Sequence, residues 1–213
     1  MSKDMILYGH SRSSCTWRVK IALAIKGIQY EDVAVTDESW TGHCFQQNCP
    51  AFLKASPLQQ VPALAHGEWC FTQSIAIMEY LDEIQPDPPL MPVGPVLRAK
   101  TRALAETIVS AVQPFQAHNE PLVSRVGGEE KFKEWAEFWI HKGFAAIEVM
   151  LKDTHGNCCI ADDVTVADLC LVPQYNNAVN RYNIDVNQYP TMSKIAEHCL
   201  KLEPFSSTRP PVA

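Results

Sequence analysis

The stretch Gln85-Pro-Asp-Pro-Pro-Leu-Met-Pro-Val-Gly-Pro95 constrains this chain more than any other. Five prolines in eleven residues remove backbone donors and fix φ too often for a regular element to run through it. It separates two regions of different pattern. Before it, Met5 to Tyr8 reads as a short apolar strand and Ser14 to Lys26 as an amphipathic helix stopped by Gly27. Gln29 to Val35 reads as a second strand, parallel to the first because a helix carries the crossover. Thr36 to Ser56 has poor periodicity, with one short helix around Cys49 to Ala55. Ala63 to Ala65 and Trp69 to Phe71 flank His66-Gly67-Glu68 as a hairpin, and Ser74 to Ile84 is a largely apolar helix. After the proline-rich stretch only helical periods appear: Val96 to roughly Asn119, Glu129 to Leu151, Thr165 to about Val179 and Tyr189 to Leu202. The expectation is an α/β domain over 1–84 in the order βαβαββα, a linker over 85–95 and an all-helical domain over 96–213.

A composition of 46% hydrophobic and 20% charged residues is that of a chain folded throughout. A net charge of -6 without clustered Lys or Arg argues against a nucleic-acid surface. No apolar run approaches the roughly 20 residues that span a bilayer, and the opening Met-Ser-Lys-Asp-Met-Ile-Leu-Tyr lacks a signal-peptide core, so a cytoplasmic protein without a membrane partner is expected. The eight cysteines, at 15, 44, 49, 70, 158, 159, 170 and 199, include no pair two residues apart, and His10, His43, His118 and His141 show no ligand spacing. No metal site is expected, and several cysteines read as small buried apolar residues. Trp135, Phe138, Trp139 and Phe144 read as helical core, and Thr165 with Asp168 as a capping box.

Three local patterns carry chemistry. Ser13-Ser14-Cys15 lies where the first strand passes into the first helix, and free N–H groups at the positive end of a helix dipole stabilise an anion such as a thiolate. A serine hydroxyl donating to sulfur favours the charged form, in Cys15 or in a bound thiol, although a helix cap explains either serine equally well. Gln60-Val61-Pro62 stands before the hairpin, where a cis proline would turn the Val61 N–H and C=O toward an extended peptide; a plain loop proline is the bland alternative. Gln73-Ser74 opens the next helix and suits a carboxylate, or again a cap. Together the three suit a short peptide that carries a thiol and an α-carboxylate.

The run Arg12-Ser-Ser-Cys-Thr-Trp-Arg-Val-Lys-Ile-Ala-Leu-Ala-Ile-Lys-Gly27, with Gln60-Val-Pro62 and Gln73-Ser-Ile-Ala-Ile-Met-Glu-Tyr-Leu81, resembles the zeta class of glutathione transferases, which includes maleylacetoacetate isomerase. The resemblance extends through Leu97-Arg-Ala99, Gln113-Pro114, Gly143-Phe144, Thr165 to Leu169, Pro173-Gln174, Asn177-Ala178 and Tyr189-Pro-Thr191. It implies a thioredoxin-like N-terminal domain, an all-α C-terminal domain and a homodimer. It implies that Ser13, Ser14 and Cys15 meet the glutathione sulfur, that Gln47, Gln60, Val61 and Pro62 meet the peptide backbone, and that Gln73 and Ser74 meet the γ-glutamyl group. Gln113 matches a helical-domain position that reaches the active site, and Arg12 and Arg181 match substrate-carboxylate positions, Arg181 only after a one-residue insertion. Two departures stand out: Ala117-His118-Asn119 where the family commonly has Asn at 117, and Cys44-Phe-Gln-Gln47 where it often has Gly-Gly-Gln-Gln.

The activity implied is cis-trans isomerisation of a conjugated diacid such as maleylacetoacetate, by reversible addition of the glutathione thiolate to the double bond. Two alternatives stay open: a transferase or dehalogenase acting on small α-halo acids, and a non-catalytic interaction module. A thioredoxin-type redox enzyme is disfavoured because Arg18, not a second cysteine, stands three residues after Cys15.

Overall fold

Met5–Gly9 (β1) is apolar on both faces, with Met5, Leu7 and Tyr8 all buried, which is the pattern of a central strand. The computed structural model, which describes residues 5–35 and 50–211, places it so. The sheet order is β2-β1-β3-β4, with Glu31–Ala34 (β2) parallel to β1 and Ala63–His66 (β3) antiparallel to it. Trp69–Thr72 (β4) closes a hairpin on β3 through Gly67, whose φ of 60° lies in the left-handed region open to glycine. Ser14–Lys26 (α1) crosses from β1 to β2 and ends at Gly27 with φ 63°, whose N–H bonds the Ala24 carbonyl while Ile28 N–H bonds that of Leu23. Pro50–Ala55 (α2) precedes β3, and Ser74–Ile84 (α3) follows β4 and packs on α1. The order βαβαββα is the one the sequence predicts.

The chain divides into two compact units, Met1–Leu90 with Ser207–Ala213, and Met91–Ser206. The first half of the expected linker is tied to the first unit. Lys26, buried at the end of α1, pairs with Asp82 at 2.6 Å and donates to the carbonyls of Pro86 and Pro88. Asp82 also accepts from the Leu90 N–H at 2.8 Å, and the Gln85 side-chain amide donates to the Lys26 carbonyl. A cation at a helix C-terminus is favoured by the dipole, and here it gathers carbonyls that the prolines leave without a ladder.

In the second unit the helix expected from Val96 to about Asn119 is two, and a third, not expected, comes after it. Pro95–Ala111 (α4) stops at Val112, because Pro114 lacks an N–H and its ring clashes with the carbonyl four residues earlier. Gln113–Gln116 (α5) and Glu120–Val126 (α6) follow, and α6 starts at Asn119, whose side chain accepts from Leu122 N–H at 3.0 Å. Glu129–Leu151 (α7) has its expected bounds, and Val166–Tyr182 (α8) runs beyond the expected end, through Pro173, to Asn183 at φ 53°. The last expected helix, Tyr189 to Leu202, is Pro190–Cys199 (α9), and a short helix, Glu203–Ser206 (α10), follows beyond the expected end; in the second unit as a whole the apolar side chains meet in one core. Leu104, Ile108, Ile140, Phe144, Ile147, Leu169 and Val172 are buried at its centre. The core expectation holds for Phe144 but not for Trp135 and Phe138, which are 38% and 59% exposed; Trp139 stacks on Phe115 at 4.2 Å. Helical spacing gives direction, not depth, and that stripe is wider than the buried seam.

Gly143 marks the closest helix approach. A Cβ there would lie 2.0 Å from Val112 Cγ2, and Val112 is fully buried and β-branched, so it cannot rotate aside. Gly143→Ala gains about 1 kcal/mol of helix propensity but overpacks at a cost of about 1–3 kcal/mol. A net loss of stability is expected in urea unfolding, whereas Ala at an open helix position would gain.

Candidate active site

The N-terminus of α1 assigns different roles to its two serines. Ser13 is the cap: its backbone is extended at φ -81°, and its Oγ accepts from Thr16 N–H at 3.2 Å. Ser14 is the first helical residue, buried, and its hydroxyl has no partner among the described residues. The N–H groups of Ser14 and Cys15 also have none there, as expected of a first turn. The turn before them is fixed by Ser13 N–H donating to the His10 carbonyl at 3.0 Å and Arg12 N–H donating to His10 Nδ1 at 3.1 Å. Arg12 itself is exposed, and Cys15 is half-buried.

Arg18, one turn along α1, is fully buried. Its Nη1 donates to Ser74 Oγ at 3.2 Å and lies 3.6 Å from Cys15 Sγ, while its Nε and Nη2 have no partner among the described residues. The guanidinium thus joins the start of α1 to the start of α3. A buried cation costs several kcal/mol unless an anion compensates it, so this arrangement is electropositive by construction. Arg18 belongs to the motif that opens α1 but is not among the expected site residues; a charged residue on the apolar side of α1 is the signal that marks it.

Gln73, not Ser74, occupies the cap position of α3, with φ 69° and ψ 116°, a backbone region that side chains rarely adopt. Ser74 is the first helical residue, buried, with its hydroxyl accepting from Arg18. Gln60 is held by Ser56, whose Oγ donates to the Gln60 carbonyl at 2.8 Å and accepts its N–H at 3.1 Å. The Val61-Pro62 peptide is cis, and the Val61 backbone has no hydrogen-bond partner among the described residues. Gln47 lies outside the described residues, as does His43.

Gln113 and Arg181 belong to the second unit. Gln113 is half-buried at the first position of α5, and its neighbour in sequence Gln116 is the one that is sealed in the core, donating from Nε2 to Gln174 Oε1 at 2.9 Å. Arg181, near the end of α8, is exposed on a cavity of about 320 Å³ shared with His118, Glu129, Phe132 and Tyr182. There His118 Nε2 meets the Glu129 carboxylate at 2.9 Å. Asn119, in the segment that departs from the family pattern, caps α6. In the first unit a cavity of about 330 Å³ lies beside Trp17, Lys20 and Asp32 and the tail residues Thr208 and Arg209; none of Ser13, Ser14, Cys15, Val61 and Ser74 lines it.

A βαβαββα sheet unit with an electropositive, anion-accepting site at its first helix, followed by a helical unit, defines the class. The family model for the glutathione S-transferase N-terminal domain matches residues 3–83. The chain is 43% identical to maleylacetoacetate isomerase of Mus musculus over 96% of its own length and 92% of that protein. Crystal structures of maleylacetoacetate isomerase from Anaeromyxobacter dehalogenans 2CP-1, one with GSH bound in the active site and one with dicarboxyethyl glutathione and citrate, are 37% and 36% identical, each with TM-score 0.83 over 100% of this chain and 97% of theirs. The holo structure of maleyl pyruvate isomerase, a bacterial zeta-class glutathione S-transferase, is 32% identical with TM-score 0.87 over 98% of both chains. This chain is a glutathione S-transferase-fold protein. Within that fold it belongs to the zeta-class, maleylacetoacetate isomerase family. Among the described residues no helix is long and apolar enough to cross a membrane.

Proposed function

We propose that this chain is a glutathione-dependent isomerase that converts a cis conjugated diacid such as maleylacetoacetate to its trans form. The observation that carries the reading is the start of α1, where two open N–H groups and the unpartnered Ser14 hydroxyl stand beside Cys15 and the buried Arg18. These residues fit glutathione: the Arg18 donors that have no partner among the described residues call for negative charge, and the Val61 backbone, unpaired among those residues, offers a donor and an acceptor to a peptide. When bound, glutathione supplies the sulfur nucleophile whose reversible addition converts the double bond to a single bond about which rotation is free.

The residues of the chain do the rest. Ser14 and the first-turn N–H groups of α1 stabilise negative charge on sulfur, so that the reactive anion is present near neutral pH. Arg18 adds a fixed positive charge to the same region and holds Ser74 in place. Gln60, Val61 and Pro62 align the peptide, with Gln47 as a further candidate contact, and Gln73 with Ser74 receives a carboxylate at the α3 N-terminus. Arg12 and Arg181 are the candidate forks for substrate carboxylates, a geometry guanidinium matches in bidentate fashion, and Gln113 is the candidate polar contact of the helical unit. The dicarboxyethyl glutathione held by the Anaeromyxobacter relative supports a partner with two carboxylates. The same reading carries a cytoplasmic homodimer.

The test is an assay on maleylacetoacetate with the trans product followed directly, alongside maleylpyruvate and dichloroacetate. Isomerisation is expected with glutathione and not with S-methyl glutathione, whose sulfur is blocked. Chloride release from dichloroacetate without isomerisation of either diacid would replace this reading with the dehalogenase one, and binding of glutathione without turnover of any of the three would replace it with the interaction module.

A further inference from the structure

The helical unit holds a second group of ligating side chains, remote in sequence from the serines of α1. The loop between α7 and α8 closes tightly on itself. Ala161 N–H donates to the Thr154 carbonyl at 2.8 Å, and the Ala161 carbonyl accepts from Gly156 at 2.9 Å and Cys158 at 3.0 Å. Asp162 Oδ1 accepts from Asn157 N–H at 2.9 Å, and a Cβ at Gly156 would lie 2.5 Å from the Ala161 carbonyl oxygen, so no larger residue fits there. This closure fixes Cys158 with its side chain in the core, where it meets Asp168 from the first turn of α8 and Cys199 from the last turn of α9.

The two sulfurs and a carboxylate oxygen all lie within 4.8 Å of one another, and the three residues are 1% exposed or less. An ionised carboxylate has about four lone-pair positions. Asp168 Oδ2 uses two, on the Thr165 N–H and hydroxyl at 2.9 Å each, and Oδ1 uses one, on the Cys159 N–H at 2.7 Å. Cys199 Sγ donates to the remaining position on Oδ1 at 3.9 Å and Cys158 Sγ donates to the Asp162 carbonyl at 3.6 Å, so these two S–H protons are the ones a metal ion would displace.

We propose that Cys158, Cys199 and Asp168 form a binding site for a thiophilic divalent cation of the zinc and cadmium class. Paired sulfurs select such ions over magnesium or calcium. Zinc lies about 2.3 Å from sulfur and about 2.0–2.2 Å from oxygen, so ligand atoms around one ion stand roughly 3.5–4 Å apart, and side chains already within 4.8 Å reach that spacing by small rotations. Charge also balances. The ion replaces two thiol protons, which pass to the solvent buffer, and two S–H bonds give way to two metal–sulfur bonds; the buried group keeps the charge it had. Asp168, oriented by Cys159 and Thr165, is positioned before the ion arrives. No local spacing marks this site, because its ligands come from a loop and two helices. It is independent of the glutathione reading.

The test titrates reduced, chelator-treated full-length protein with Cd2+, followed by the ultraviolet thiolate-to-metal band and by proton release in weak buffer, with Zn2+ as competitor. A single equivalent of Cd2+ is expected, releasing two protons, displaced by Zn2+, and raising the unfolding temperature. Cys158→Val and Cys199→Val should each weaken binding by about 10²-fold, whereas Cys70→Val, at an exposed position, should leave it unchanged. Differential alkylation of the unsubstituted protein in mild denaturant needs no variant to fold: Cd2+ should slow labelling of Cys158 and Cys199 and not of Cys70. Absence of saturable binding, a band that survives in both Val variants, or protection on other cysteines overturns the proposal, as does a Cys158-Cys199 disulfide found in the metal-free reduced protein.

Discussion

Ser14→Ala is expected to reduce kcat/KM for the isomerisation by about 10²-fold, the scale seen when one donor to a developing anion is removed. The hydroxyl of Ser14 is buried beside two open helix N–H groups and is spent on nothing else among the described residues. Its loss removes a hydrogen bond to the charged form of the bound thiol, so the thiol pKa should rise and the activity lost at neutral pH should partly return as pH is increased. Ser13→Ala is expected to behave differently. Ser13 Oγ is committed to Thr16 N–H, so the variant should lose about 1 kcal/mol of stability while keeping most of its turnover and its pH profile. Thiolate absorbance of bound glutathione against pH, measured on both variants, separates the two roles. If Ser13→Ala shifts that titration and Ser14→Ala does not, the division of labour read from the helix cap is wrong.

Asp168→Asn is expected to cost the helical unit about 2–4 kcal/mol, measured with chelator present so that bound metal plays no part. Burial pushes the Asp168 pKa up, while its bonds to Cys159 and Thr165 pull it down. Its donors all point at oxygen: Cys159 N–H and the weaker Cys199 thiol at Oδ1, and the Thr165 N–H and hydroxyl at Oδ2. An amide must place its NH2 against one of these groups, leaving buried donors facing each other. Amide hydrogen exchange along α8 should accelerate in the variant, since the start of that helix and the α7–α8 loop are both fastened there. Unfolding within about 0.5 kcal/mol of the parent protein would show that the carboxylate is replaceable and the loop held by other means.

Much of this was legible in the residues. The proline-rich stretch, the βαβαββα order, the bounds of α1, α3 and α7, and the Thr165-Asp168 capping box all follow from local rules: period, cap chemistry, and the few residues that tolerate φ near +60°. Ser13, Ser14 and Cys15 were legible as a candidate site because a strand running into a helix must leave its first N–H groups open. The continuous helix expected through to Asn119 fails for a local reason: Pro114 ends α4, and Asn119 with Pro121 starts a separate helix.

Other features had no local signal to find. The linker's first half is fixed by Lys26, a residue that sequence places sixty positions away from the carbonyls it gathers. The start of α9 is capped by Glu148 of α7, whose two carboxylate oxygens accept from Thr191 and Met192 N–H at 2.9 Å each. The charge of Arg18 is felt at this site only because folding buries it between Cys15 and Ser74, with two of its nitrogens unpartnered among the described residues. The sequence determined which elements form and where an anion is welcome, because those depend on neighbours along the backbone. The tertiary structure decided which serine is free, which cation is left uncompensated and which cysteines meet, because each of those depends on burial and on contacts between residues that the chain brings together from far apart.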